Sequence, residues 1–231
     1  MLLNTPIFIP YGWPEPGPRY LESTRFFDYE QAEVQDFVRE AVSDASSPRE
    51  QMVRLFLAVR DAIRYDPFSA RITPECFRAS TVVKERAAFC IPKASLLVAG
   101  ARLLGVPAAL GLSDVVNHFS TPKMQQVMGG REVFMHHGWA ALYIDGQWVK
   151  AAPAFNRELC ALMRVPPTDF DGMHDAILQQ YASDGSVHMD YLKDHGMWSD
   201  VPFLRIASDW AGYYPATLWN ERQTRIEVDD L

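Results

Sequence analysis

Residues 90 to 104 read Cys-Ile-Pro-Lys-Ala-Ser-Leu-Leu-Val-Ala-Gly-Ala-Arg-Leu-Leu. The stretch is apolar on nearly every face, whereas a helix at a surface carries a polar stripe. The pattern predicts a helix buried on all sides, stopped by Gly105 and Pro107. Working upstream, Val34, Phe37, Val38, Ala41 and Val42 form a helical stripe within 30–42. A second helix opens at Ser47-Pro48-Arg49-Glu50, where Ser47 can cap, Pro48 suits the first turn and Glu50 completes a capping box. Its buried face is Met52, Phe56, Val59 and Ile63, and Asp66-Pro67 ends it. Residues 66 to 88, with Cys76 among them, read as irregular.

Downstream, 108–116 reads as a strand. Two further β-rich runs, 138–144 and 147–151, flank Asp145-Gly146, a two-residue hairpin signal. If that is the turn, Ile144 faces Gln147 and Trp139 faces Ala152, which puts His137 opposite Ala154. Ala152 and Asn156 are then the diagonal neighbours of His137. Beyond Cys160 the chain reads as loop-rich, with turns at Pro166-Pro167, Asp171-Gly172 and Asp184-Gly185, and its aromatics are expected to fold back onto the core. Helices followed by strands indicate an α+β domain.

The chain has 231 residues, enough for one well-buried core, and no composition break divides it. A net charge of −7 and no Lys/Arg block longer than a pair argue against a nucleic-acid or anionic-membrane binder. Cys76, Cys90 and Cys160 include no CxxC pair, so they make a poor disulfide framework or zinc site and suit a reducing compartment. The start lacks the basic and apolar regions of a signal peptide, and no apolar run is long enough to span a bilayer, so a cytoplasmic protein is expected.

Cys90 stands at the expected mouth of the buried helix, where free N–H groups and the dipole favour a thiolate and can receive an oxyanion. The alternative is a small buried hydrophobe, which most unpaired cysteines are. His137, at the hairpin entry, is the candidate base; otherwise His136-His137 is a solvated strand end. His118, His136, His174, His188 and His195 show no HxxxH or HxH spacing. Neighbours on a strand point to opposite faces, so His136 and His137 cannot chelate one ion. No metal and no cofactor is expected.

Several of these segments together resemble the transglutaminase-like superfamily. Cys90, Lys93-Ala94, Leu96-Leu97 and Leu104-Gly105-Val106-Pro107-Ala108 resemble its nucleophile helix. His137-Gly138-Trp139, Tyr143-Ile144-Asp145-Gly146, Trp148-Val149 and Pro153 resemble its histidine hairpin. Val59 to Tyr65 resembles the helix that precedes the nucleophile, and Asn117-His118 with Pro153-Ala154-Phe155-Asn156 point to a compact bacterial-type branch. The resemblance implies a papain-like α+β fold in which a buried nucleophile helix packs on an antiparallel sheet. It implies one domain over 1–231: a proline-rich arm at 1–20, a catalytic core at 60–156 and a C-terminal extension at 157–231 packing on the core. The implied chemistry is Cys90–His137 acyl transfer or hydrolysis of an amide or ester bond in a peptide, protein or small molecule. The family usually has an aspartate where this chain has Ala152, and a glycine where it has Ala88. Asn156 can take the orienting role of that aspartate; Asp114, Asn117 or no group at all are the other readings. A catalytically impaired member that binds a peptide or partner is the alternative function.

Overall fold

The computed structural model describes residues 13–178, 181–182 and 184–215. The proline-rich arm expected at 1–20 therefore lies outside the described residues up to position 12. Its described end packs Trp13 and Tyr20 against Trp148, whose indole N–H donates to the Pro14 carbonyl over 2.6 Å.

Helices α1 (Ala32–Ala41) and α2 (Pro48–Ala62) form where the apolar stripes place them. The α2 cap is as expected at Ser47, whose hydroxyl accepts from Glu50 N–H at 3.2 Å. The reciprocal half differs, since the Glu50 carboxylate reaches back one residue further to the Ser46 N–H and hydroxyl. Helix α4 (Cys90–Leu103) runs through the centre of the molecule, with Ile91 to Arg102 all buried. Burying each large aliphatic side chain there contributes about 1.5–3 kcal/mol. Its two cations are satisfied by carbonyls: Lys93 Nζ donates to Arg60 and Ile63 at the end of α2, and Arg102 donates to Glu22, Ala108 and Ser199. Without such partners either charge would be a large penalty at this depth.

Strands β3 (Ala108–Asn117), β4 (Val133–Ile144), β5 (Gln147–Ala151) and β6 (Met189–Trp198) form an antiparallel sheet in the order β5-β4-β3-β6. The β4–β5 register is the one the Asp145-Gly146 turn dictates, running from Ile144↔Gln147 to Ala140↔Ala151. Both turn residues have positive φ (49° and 87°), as a type I′ turn requires. One face of the sheet packs on α4 through Ala140, Leu142 and Ile144; the other buries Trp139, Ala141 and Trp148. The architecture is therefore α+β, with the nucleophile-type helix against an antiparallel sheet.

Two segments are more regular than the sequence suggests. Within 66–88 lies α3 (Ala79–Glu85), and Arg64–Tyr65 (β1) pairs in parallel with Ala87–Ala88 (β2). Helix α3 is too short to show a period, and its β-branched Thr81-Val82-Val83 run lowers the helix propensity that could have revealed it. Between β3 and β4 lies α5 (Pro122–Val127). In the C-terminal third β6 supplies an edge of the sheet, Cys160 of α6 (Arg157–Met163) packs with Met189 of β6, and Ile206 and Trp210 of α7 (Phe203–Tyr213) join the core around α4. Gly196 at φ 73° and two register shifts interrupt the alternation that would have revealed β6. Among the described residues no helix is long and apolar enough to cross a membrane.

Candidate active site

Cys90 is the first residue of α4, and the N–H groups of Cys90, Ile91 and Gly138 converge on its sulfur. Gly138 is what allows β4 to reach the helix mouth. A Cβ at that position would lie 2.6 Å from Ile91 Cα and 3.0 Å from Ile91 N. No side chain fits there, so β4 touches the helix backbone and His137 is carried to the thiol's neighbourhood. Cys90 and His137 line one cleft of about 740 Å³, counting the part open to solvent. Apart from Asn117 its other walls are apolar or aromatic, among them Tyr65, Phe155, Met189, Trp210 and Tyr214. Among the described residues no Asp, Glu, Lys or Arg lines it.

Helix α7 fixes one wall. The Trp210 indole donates to the Met135 carbonyl at 3.1 Å, and the Tyr214 hydroxyl accepts from Met135 N–H and donates to the Val133 carbonyl. Neither Trp210 nor Tyr214 is identifiable from sequence as a site residue, because a buried aromatic in an amphipathic helix has the same pattern whether it lines core or cleft.

The electrostatics run against the expected thiolate. Burial pushes the Cys90 thiol up to about 11, although the three N–H groups pull the other way. Burial also pushes the His137 imidazole down to about 4. In a cleft without charged walls, desolvation outweighs what a helix mouth offers. Thiol and imidazole are therefore both neutral across the physiological range.

Among the described residues no group orients His137 through Nε2. His137 is 4% exposed, and its Nε2 is buried with no hydrogen-bond partner. Its ring instead meets Tyr191 edge-on at 6.4 Å. Asn156 does not serve: its Oδ1 accepts from Tyr65 N–H at 3.1 Å, and its amide donates to Glu158 at 2.6 Å. The physical reason is that β5 ends at Ala151. Ala152 N–H turns to the Ala176 carbonyl at 2.7 Å, so the ladder never extends to the 137–154 pair. His137 pairs with Ser113 on β3 instead. Asn117 lies in the cleft wall with its Oδ1 accepting from Phe119 N–H, and Asp114 Oδ1 accepts from His136 N–H at 3.0 Å.

Against known proteins, residues 35–153 match the model of the transglutaminase-like superfamily. No curated protein matches by sequence. A solved structure, a candidate cysteine protease from Cytophaga hutchinsonii, is similar at 16% identity with a TM-score of 0.44. The similarity covers 76% of this chain and 53% of that one, so this chain spans about half the length of that protein.

Proposed function

The chain belongs to the transglutaminase-like superfamily, and from that premise we propose that it performs cysteine-dependent acyl transfer or hydrolysis on an amide or ester bond. The observation that carries the reading is the Gly138 contact, which sets the His137 strand against the mouth of α4 where Cys90 opens the cleft.

Because both groups start neutral, the proton moves as the attack occurs. The Cys90 sulfur forms a bond to the substrate carbonyl carbon while His137 accepts the thiol proton. The bond to the leaving amine or alcohol then breaks, and His137 returns that proton to the leaving group, giving a thioester on Cys90. Water or an amine attacks the thioester next, His137 takes its proton, and the sulfur recovers it as the acyl group departs. Free N–H groups at the helix mouth are available to the oxyanion of each tetrahedral intermediate.

Two features shape the expected activity. With nothing bonded to Nε2, the imidazolium formed in each step lacks a stabilising carboxylate, and loss of such a group can cost about 10⁴ in rate. The uncharged walls favour an apolar acyl group. The test is turnover of a p-nitrophenyl ester by the intact chain and by Cys90→Ala and His137→Ala. Both substitutions are expected to reduce hydrolysis to the uncatalysed rate. Undiminished turnover in either variant overturns the proposal, and turnover absent from all three proteins would favour the binding-module alternative.

A further inference from the structure

We propose that Asp114, His136 and His195 form a binding site for one divalent transition ion of the zinc class. One donor atom from each residue lies within 4.8 Å of the other two, and the three side chains come from β3, β4 and β6. The backbone is irregular at the same place on all three strands. Register shifts fall between Ser113 and Val115 on β3, His136 has φ 61°, and Gly196, next to His195, has φ 73°. Bulges of this kind re-aim side chains, here toward a common point.

The hydrogen bonding supplies the second argument. His136 is fully buried, and its Nε2 lies 2.8 Å from Asp209 Oδ2. A carboxylate only accepts, so this network assigns the hydrogen to Nε2 and leaves the lone pair on Nδ1. That Nδ1 is buried with no partner. A ligating histidine commonly gives its far N–H to a carboxylate, which fixes the tautomer and raises its basicity. Asp209 on α7 fills that position. His195, 4% exposed, has its Nε2 2.8 Å from Asp114 Oδ1, yet the carboxylate lies outside the direction in which the ring N–H would bond. At bond lengths of 2.0–2.2 Å tetrahedral neighbours lie about 3.3–3.6 Å apart, so an ion between His195 and Asp114 would open their 2.8 Å contact by roughly half an ångström. Two imidazoles and one carboxylate suit zinc or cobalt and leave a fourth position for water. No such site could be read from spacing, because its members are far apart in the chain.

An ion here ties three strands together one residue before His137, so its role would be to hold the β4 irregularity that presents that side chain. The experiment uses the full chain, stripped with a chelator and titrated with Co(II) and then Zn(II). The expected result is one ion per chain, the visible absorption of four-coordinate cobalt, its displacement by zinc and a rise in Tm. His195→Gln should abolish the cobalt spectrum, Asp209→Asn should weaken binding roughly 10–100-fold, and His174→Ala, at an exposed histidine, should change nothing. Should His195→Gln fail to fold, the wild-type spectrum and the Asp209→Asn affinity decide. A folded wild-type chain that binds neither ion, or an affinity unmoved in a folded His195→Gln or in Asp209→Asn, overturns the proposal and leaves a His–Asp hydrogen-bond network.

Discussion

Gly138→Ala adds one methyl group at the point where β4 meets the helix mouth. That methyl would lie 2.6 Å from Ile91 Cα, a backbone atom that no rotamer change can move aside. Carbon atoms rest at about 3.5–4.0 Å, so strand and helix must separate by about 1 Å. Overpacking of this kind costs about 1–3 kcal/mol. At about 2–4 °C per kcal/mol for a chain of this size, Tm should fall by roughly 2–12 °C. The catalytic loss should be larger in proportion, since a displacement of 1 Å can cost on the order of 10²-fold in rate. The assay pairs thermal unfolding by circular dichroism with p-nitrophenyl ester turnover below the variant's Tm. Gly111→Ala is the control, because its Cβ would meet the Trp139 ring at 2.2 Å, in the cluster on the sheet face away from α4. It should lower Tm while losing less rate than Gly138→Ala. A folded Gly138→Ala protein that retains wild-type turnover would refute the claim that this contact sets the pair.

The raised thiol predicts that alkylation of Cys90 by iodoacetamide accelerates about tenfold per pH unit from 7 toward 11, because only the thiolate reacts; a plateau near neutral pH, read by peptide mass mapping, would contradict it. Asn156→Ala should cost stability through the lost bonds to Tyr65 and Glu158, about 1–3 kcal/mol, while ester turnover stays within a few-fold; a loss near 10⁴ would restore it as the orienting group. For a series of p-nitrophenyl esters, kcat/KM should rise up to about fourfold per added CH₂ until the cleft is filled, from about 0.8 kcal/mol per buried CH₂. A profile that falls with chain length would mean that the apolar walls do not receive the acyl group.

What the sequence makes legible follows from where one physical effect dominates. Helix α4 is readable because nothing polar competes along 90–104 except Lys93, Ser95 and Arg102, whose partners are backbone carbonyls. The hairpin register is readable because a two-residue Asp-Gly turn admits one pairing. Extrapolating that ladder past Ala151 fails for a tertiary reason, since the Ala176 carbonyl captures Ala152 N–H and draws the chain off β4. The misplacement of Asn156 follows directly. Cys90 and His137 are found because their neighbours carry a recognisable pattern, whereas the charge state of Cys90 depends on Phe155, Met189 and Trp210 arriving from distant segments. Strand β6 stays hidden for a local reason, as the Gly196 irregularity breaks its alternation. The Asp114–His136–His195 cluster depends on that same irregularity and on two more.

In the proposed reaction Cys90 attacks a carbonyl with His137 beside it. Its most direct test is rapid acid quenching of the chain during turnover of an aromatic ester, followed by peptide mass mapping. The account predicts an acyl thioester on Cys90 that accumulates in the wild type and does not form in His137→Ala. An acyl group on Cys76 or Cys160, or its formation on Cys90 at an equal rate without His137, would contradict it.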